Sequence, residues 1–208
     1  MSRVGDIMRV SPVIPVLVVD DAGHAGPLAR ALSGGGLKVL EVTLRTPAAL
    51  DAIRRMGEEA PEAIVGAGTV LNADDLKRAV HAGARFIVSP GLTPALARAA
   101  EAEDVPLLPG VATCGEIMGG LDLGLDHFKF FPAENVGGAA ALKSIAGPMP
   151  QVRFCPTGGI TPQNAPSYLG LPNVLCVGGS WVAPKDAVAS GDWARIETLA
   201  REAASLAR

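Results

Sequence analysis

One lysine of this chain has the sequence surroundings of a chemically reactive amine. Lys129 lies in the middle of the run His127-Phe-Lys-Phe-Phe131, whereas the other lysines fall at strand starts, in helices or in loops. Burial among aromatic rings favours the neutral amine over the ammonium ion, and a neutral amine can attack a carbonyl carbon to form a Schiff base. Lys129 is therefore a candidate nucleophile, with a structural ion pair or a side chain that reaches solvent as the alternative.

One predicted strand contains both a candidate acid–base residue and a candidate residue for binding a substrate carboxylate. Glu41, Thr43 and Arg45 alternate with apolar residues, so all three point to the same face. A carboxyl group can alternate between acid and base, and a guanidinium can hold a substrate carboxylate with two parallel hydrogen bonds. A salt bridge from Glu41 to Lys129 or Arg45 is the structural alternative.

Two glycine-rich turns are candidate phosphate sites. Thr157-Gly158-Gly159 and Gly178-Gly179-Ser180 each end an apolar run, and glycine lets several backbone N–H groups converge on one anion. Thr161-Pro162 predicts a helix that begins just beyond the first turn and adds positive potential there. The simpler interpretation is that both turns need glycine for steric reasons alone.

Eight apolar runs rich in β-branched residues provide the strands that would position these groups. They begin roughly every 21 to 26 residues, about the length of one strand and one crossover helix. This regularity predicts an α/β fold, a (β/α)8 TIM barrel formed by residues 1–208 as one domain, with the functional groups at the carboxyl ends of the strands. An open doubly wound sheet is disfavoured because no G-x-G-x-x-G turn follows the first run. The runs are residues 13–19, 39–44, 63–69, 85–89, 106–111, 127–131, 152–157 and 174–179.

Helix-start signals occupy the intervals between the runs. Thr46-Pro47 and Thr93-Pro94 each offer a capping hydroxyl followed by proline at the first helical position, and Asn72 offers a capping amide. Ser2–Val10 is predicted to form a short extra helix that closes the amino-terminal end of the barrel.

Charge and hydropathy exclude several classes of function. The chain has 208 residues, with 18 Lys and Arg against 21 Asp and Glu and a formal net charge of −3. It contains no basic run, which argues against nucleic acid as a partner. The most apolar stretch, Pro12–Val19, is far shorter than the roughly 18 residues that span a bilayer, so no membrane association is expected.

Cysteine and histidine positions indicate a cytoplasmic protein without a metal ion. The cysteines, at positions 114, 155 and 176, are too far apart for a zinc knuckle and favour a reducing compartment. A metal-dependent enzyme of this fold would need several histidines and carboxylates at strand ends. His24, His81 and His127 do not form such a set.

Six short strings extend across most of the chain. They are Glu41-Val-Thr-Leu-Arg45-Thr46, Gly66-Ala-Gly-Thr69-Val70, Ser89-Pro-Gly91, Phe128-Lys-Phe-Phe-Pro132-Ala-Glu134, Arg153-Phe-Cys-Pro-Thr157-Gly-Gly159 and Cys176-Val-Gly-Gly-Ser180-Trp181. With these strings the chain closely resembles the bacterial 2-keto-3-deoxy-6-phosphogluconate (KDPG) aldolases. The resemblance extends from about Met8 to Ala200.

The resemblance implies a class I aldolase of the Entner–Doudoroff pathway. Such an enzyme cleaves a phosphorylated 2-keto acid into pyruvate and glyceraldehyde 3-phosphate, needs no cofactor and is usually a homotrimer. Some members also accept 4-hydroxy-2-oxoglutarate (KHG). The alternatives are a phosphosugar isomerase or epimerase on the same barrel, and an inactive barrel that binds a phosphorylated metabolite.

The resemblance also implies a role for each matching residue. Lys129 would form the Schiff base, and Glu41 would act as acid and base. The residues expected to contact substrate are Arg45 and Thr69 for the pyruvate carboxylate, Phe131 for the methyl group, Thr157 near the carbonyl, and Gly158, Gly159, Gly179 and Ser180 for the phosphate. The turn at Pro90 is predicted separately to form part of the wall of the site.

Overall fold

Short strands alternate with helices throughout this computed structural model, which describes residues 3–207. Their alternation follows the predicted runs, because each apolar run is followed by an amphipathic stretch that packs against it. The strands are β1 Val13–Leu17, β2 Val39–Thr43, β3 Ile64–Gly68, β4 Ile87–Val88, β5 Leu107–Leu108, β6 Gly110–Val111, β7 His127–Phe130, β8 Arg153–Pro156 and β9 Val177–Gly179.

The strands close into a barrel. They pair in parallel in the order β5-β4-β3-β2-β1-β9 and, in a second sheet, β6-β7-β8. A backbone bridge from Thr157 to Gly178 joins the ends of β8 and β9, and only Pro109 separates β5 from β6. The predicted (β/α)8 barrel is therefore confirmed. Proline has no N–H to donate to a strand ladder, which explains why residues 106–111 form two segments instead of the single strand that was predicted.

Ten helices occur within residues 3–207 and surround the barrel or close its ends. None of them is long and apolar enough to cross a membrane. The helices are α1 Arg3–Val10, α2 Ala25–Gly34, α3 Ala49–Glu59, α4 Ala73–His81, α5 Pro94–Ala102, α6 Cys114–Asp122, α7 Gly138–Ile145, α8 Ala165–Leu169, α9 Lys185–Ser190 and α10 Trp193–Ala204.

Alternation along the strands separates two hydrophobic cores. Phe128 and Phe130 pack outward into the large core between strands and helices, while Lys129 between them points inward to Glu41. The inward and outward faces predicted for β2 and β7 are thus the ones observed. The inner core consists of Val4, Met8, Ile14, Val39, Phe86, Val88, Leu108, Cys155 and Cys176.

Helix α1 closes the amino-terminal end of the barrel. Its residues Val4 and Met8 join the inner core, and Gly5 lies against the imidazole of His127, the first residue of β7. A Cβ atom built at Gly5 would lie 2.5 Å from His127 Nε2. The predicted closing helix is confirmed over Arg3–Val10, and Ser2 lies outside the described residues.

Two of the predicted helix caps are present. The Thr93 hydroxyl accepts a hydrogen bond from Leu96 N at 3.2 Å, and the Asn72 side chain accepts one from Asp75 N at 2.8 Å. Both caps satisfy backbone donors that have no partner within the first helical turn.

The other two predicted helix starts were wrong. The Thr46 hydroxyl donates to Val19 O at 2.5 Å, and α3 begins later, at Ala49. Thr161 accepts a hydrogen bond from Asn164 N within a turn, and α8 does not begin until Ala165 and is five residues long. The helix expected just beyond Gly159 therefore begins later than predicted, at Ala165.

Candidate active site

Lys129 and Glu41 meet inside the barrel. Lys129 Nζ donates a hydrogen bond to Glu41 Oε1 at 3.3 Å, and the two side chains are only 7% and 4% exposed. Lys129 is on β7 and Glu41 is on β2, so strands far apart in the chain position the pair. An amine and a carboxyl group at this distance can exchange a proton directly.

A glycine on β3 leaves the space that the Glu41 carboxyl group occupies. A Cβ atom built at Gly68 would lie 2.1 Å from Glu41 Oε1, so a larger residue would displace this carboxyl group. Gly68 is not among the residues predicted from sequence. The available signal was a glycine inside a strand, which often marks a close approach of another group to the backbone.

Phe131 connects the lysine to a cavity at the barrel mouth. Lys129 Nζ lies 5.2 Å from the centre of the Phe131 ring, within the range of a cation–π contact. The same residue lines a cavity of about 410 Å³. Because Phe131 follows Lys129 by two positions, alternation directs both side chains to the same face.

Most of the residues predicted to contact substrate line this cavity. Within the described part of the chain, its wall includes neither Thr69 nor Pro90. The buried pair of Lys129 and Glu41 also lies outside this wall. The predicted residues that line the cavity are Arg45, Phe131, Thr157, Gly158, Gly159, Gly179 and Ser180.

Steric demands account for part of the glycine content of the two turns. Gly158 and Gly159 have φ angles of +100° and +77°, in the region that residues with a Cβ atom rarely adopt. A Cβ atom built at Gly178 would lie 2.2 Å from Thr157 Oγ1. Both turns would therefore need glycine even without a ligand, and their position in the cavity wall is what favours an additional binding role.

Thr69 and Pro90 lie beyond the carboxyl ends of β3 and β4. Thr69 has a φ angle of +59°, a conformation that costs roughly 1 to 3 kcal/mol for a residue of this kind. The turn at Pro90 is held by the Ser89 hydroxyl, which donates to Gly91 O at 2.7 Å. Strained residues at the mouth of such a barrel are candidates for a binding role.

A second layer of contacts supports the turn after β8. The backbone N–H of Glu134 donates to Gly158 O at 3.2 Å, and the Glu134 carboxylate accepts a hydrogen bond from the hydroxyl of Tyr168. Burial of the phenol, followed by this hydrogen bond, raises the pKa of Tyr168 above its ordinary value. The segment after Phe131 is thus tied to the Gly158 turn and to α8. Sequence reasoning missed this contact because its partners are far apart in the chain.

A larger groove on the outside of the barrel contains none of the predicted residues. It has a volume of about 810 Å³ and is lined from α3 and α4 by residues that include Asp51, Arg54 and Lys77. It lies away from the strand ends, where functional groups of barrel enzymes converge. Among residues 3–207, no group of three or more His, Cys, Asp or Glu side chains is placed to hold a metal ion.

Comparison with known proteins agrees with the motif resemblance. Residues 4–199 match the family described as "KDPG and KHG aldolase". The chain is 58% identical over 197 residues to a KHG/KDPG aldolase of Escherichia coli K12, covering 95% of this chain and 92% of that protein.

Two solved structures are similar to this one over almost their whole length. A KDPG aldolase of Zymomonas mobilis ZM4, crystallised with 3-phosphoglycerate, is 58% identical, with a TM-score of 0.94 and coverage of 99% and 97% of the two chains. A KDPG aldolase of Legionella pneumophila, with pyruvate captured as a covalent carbinolamine, is 48% identical, with a TM-score of 0.95 and coverage of 98% and 99%. The predicted resemblance is confirmed, and the chain belongs to the KDPG and KHG aldolase family.

Proposed function

We propose that this protein is a Schiff-base aldolase that reversibly cleaves KDPG into pyruvate and glyceraldehyde 3-phosphate. The observation that carries the proposal is the contact of 3.3 Å between Lys129 Nζ and Glu41 Oε1 inside the barrel. The carbinolamine captured from pyruvate in the Legionella relative supports the same chemistry. An isomerase or epimerase would use a carboxylate or histidine in place of a lysine nucleophile.

The reaction begins with imine formation on Lys129. The neutral amine attacks the C2 carbonyl carbon, and transfer of one amine proton to the oxygen gives a carbinolamine. Glu41, as a carboxylic acid, then protonates the hydroxyl group, which leaves as water while the nitrogen lone pair forms the protonated imine. Glu41 is left as a carboxylate and can serve as the base of the next step.

Carbon–carbon cleavage uses the protonated imine as an electron acceptor. The Glu41 carboxylate removes the proton of the C4 hydroxyl group, the C3–C4 bond breaks, and its electron pair forms an enamine. The aldehyde product leaves. Glu41 then returns a proton to C3, which leaves the protonated imine of pyruvate. Water adds to this imine and loses a proton to the Glu41 carboxylate, and collapse of the carbinolamine releases pyruvate and the neutral Lys129 amine, with Glu41 protonated again.

Substrate binding divides between two parts of the barrel mouth. Arg45 and Thr69 hold the carboxylate, and Phe131 contacts the methyl group that forms in pyruvate. Thr157 lies beside the carbonyl and influences stereochemistry, and Pro90 forms part of the wall. Arg45 and the glycine turns line one cavity, which supports binding of both ends of the substrate there. The phosphate is bound by backbone N–H groups at Gly158, Gly159, Gly179 and Ser180.

We propose KHG as a second substrate. The E. coli relative, at 58% identity, is named a KHG/KDPG aldolase. KHG has the same 2-keto-4-hydroxy acid unit, so Lys129 and Glu41 would act on it in the same way. It lacks a phosphate group, so the glycine turns would contribute less to its binding.

We also propose that the protein is a cytoplasmic homotrimer that acts on small molecules without a cofactor. Membership of the family supports this proposal. Analytical ultracentrifugation at micromolar protein concentration tests the assembly, and a mass three times that of the chain is expected. A monomer under these conditions would contradict the trimer.

Borohydride trapping tests the proposed chemistry. Treatment with pyruvate and borohydride should inactivate the protein irreversibly and attach one reduced pyruvate adduct, which peptide mass mapping would locate on Lys129. Borohydride alone should have no effect, and Lys77→Arg should be labelled as efficiently as the unmodified protein. An adduct on another lysine, or inhibition by a chelator without any adduct, would overturn the proposal.

A further inference from the structure

The cavity at the barrel mouth carries a local positive charge. Arg45 and Lys185 are the charged residues along its described wall, and no carboxylate lines it. The chain as a whole has a formal net charge of −3. The charge of the cavity wall is thus opposite in sign to the net charge of the chain. A cleft with low-dielectric walls concentrates the electric field of these cations on an incoming anion.

Lys185 is available to a ligand. Its ammonium group makes no ion pair within residues 3–207. The neighbouring carboxylate of Asp186 is held by Arg195 Nη1 at 2.6 Å, and this hydrogen bond lowers the pKa of Asp186. Asp186 is therefore paired with Arg195 and not with Lys185.

We infer that Lys185 binds the phosphate end of the substrate and helps to determine specificity for phosphorylated keto acids. This inference rests on the proposed function. The substrate carries two anionic groups, and the cavity offers two cations on different elements, Arg45 beyond β2 and Lys185 on α9. Lys185 lines the same cavity as Gly179 and Ser180.

The physical need for Lys185 follows from charge. Backbone N–H groups at the glycine turns donate hydrogen bonds but carry no net charge, so a phosphate dianion bound by them alone stays uncompensated. An ammonium group on a flexible stem supplies that charge without a fixed geometry. Because Lys185 lines the cavity and is exposed, solvent screens its charge. Its effect should therefore appear in the KM of the phosphorylated substrate and weaken as salt is added.

The test compares substitutions at Lys185 with matched substitutions at Lys77. Lys77 is an exposed lysine on α4 outside the cavity, so Lys77→Ala and Lys77→Glu change the net charge by the same amount. Values of kcat and KM are measured for KDPG and for KHG at low and high ionic strength. We expect Lys185→Ala to raise the KM for KDPG about 2- to 5-fold, and Lys185→Glu about tenfold or more.

Two readouts separate this inference from the proposed function. The ratio of kcat/KM for KDPG to that for KHG should fall in both Lys185 variants, with a smaller fall at high salt, and should stay unchanged in the Lys77 variants. An unchanged ratio at Lys185, or an equal change at Lys77, would overturn the role of Lys185. If the unmodified protein neither cleaves KDPG nor forms the pyruvate adduct, the proposed function itself fails.

Discussion

Lys129 and His127 lie two positions apart on the same inward face of β7, and both are buried, yet they have different partners. Lys129 is paired with Glu41 of β2, whose side chain is 4% exposed. His127 Nδ1 lies 2.6 Å from Oδ1 of the adjacent residue Asp126, whose side chain is 50% exposed. One ionisable group is paired inside the barrel with a distant residue, and the other with its neighbour at the surface.

The surroundings of the two groups differ along the barrel axis. Helix α1 covers His127 through Gly5, and His127 Nε2 is buried without a hydrogen-bond partner among residues 3–207. Lys129 instead contacts Phe131, which lines the cavity at the mouth. Strand alternation alone treats the two positions as equivalent. Distance from the carboxyl end of the strand decides which of them can reach a substrate.

The largest expected effect distinguishes the catalytic role of Lys129 from the structural role of His127. Lys129→Arg should abolish cleavage and pyruvate trapping while the protein stays folded, because a guanidinium keeps the charge but forms no imine. His127→Gln should still form the adduct. The measurements are the turnover of KDPG and the mass of the trapped protein, with circular dichroism as the control for folding. Loss of the adduct in His127→Gln would show that the closed end of the barrel also contributes to the chemistry.

The carboxylate partners of the two groups offer the next test. Glu41→Gln should slow both cleavage and exchange of the pyruvate methyl protons by roughly 10²- to 10⁴-fold, because no group remains to carry the proton. Asp126→Asn removes the other partner and should leave both rates close to those of the unmodified protein. Proton exchange is followed by NMR in deuterated buffer. Normal exchange in Glu41→Gln would assign the proton transfer to another group or to water.

A smaller effect is expected at the phosphate end of the mouth. Ser180→Asp should lower kcat/KM for KDPG roughly 10- to 100-fold, because a carboxylate repels the dianion and charge-assisted hydrogen bonds are lost. The ratio of KDPG to KHG activity should fall with it, while pyruvate trapping at Lys129 continues. Ser144→Asp on α7 adds the same charge elsewhere and serves as the control. An equal loss of kcat/KM for both substrates would mean that the glycine turns have a structural role and do not bind the phosphate.

At the closed end, substitutions should change stability and not activity. Gly5→Ala places a Cβ atom 2.5 Å from His127 Nε2, and overpacking of this kind costs about 1 to 3 kcal/mol in the free energy of unfolding. Gly57→Ala on α3 meets no atom within 4 Å and should stabilise the helix by about 0.5 to 1 kcal/mol. Urea unfolding measures both. Equal stabilities, or a large loss of kcat in Gly5→Ala, would contradict the assignment of this end to packing.

The smallest effect concerns the contact between Tyr168 and Glu134. Tyr168 is the only tyrosine in the chain, so phenolate absorbance reports on this residue alone. Because burial and Glu134 raise its pKa in the folded protein, the native protein should show little phenolate at pH 10, whereas protein unfolded in urea should titrate near pH 10.

The raised pKa of Tyr168 also makes the stability of the protein depend on pH. The folded state holds the proton more tightly than the unfolded state, so this contribution to stability is fully present below about pH 10 and is lost as the pH rises further. Tyr168→Phe should therefore lose less stability between pH 9 and 11 than the unmodified protein. Identical phenolate titrations of native and unfolded protein would contradict the buried contact.

Local sequence periodicity was sufficient to predict the barrel and the inward direction of its main polar residues. Successive side chains of a strand alternate between two faces whatever the rest of the fold does, which is why Glu41 and Lys129 could be assigned to the interior. Local sequence signals gave wrong predictions where a group had more than one possible hydrogen-bond partner. The Thr46 hydroxyl binds Val19 O instead of capping a helix, and no local rule predicts that choice.

Only the tertiary structure determined which of the polar residues meet. Lys129 and Glu41 are 88 positions apart, and the close approach of Gly68 to the Glu41 carboxyl group depends on the packing of β2 against β3. The place of Lys185 in the cavity wall likewise depends on tertiary structure, because α9 must bring it to the same cavity as the glycine turns after β8 and β9. The sequence thus determined the direction of each side chain through the local geometry of its strand. Contacts between elements distant in the chain arise only when the barrel closes, because closure sets the distances between them.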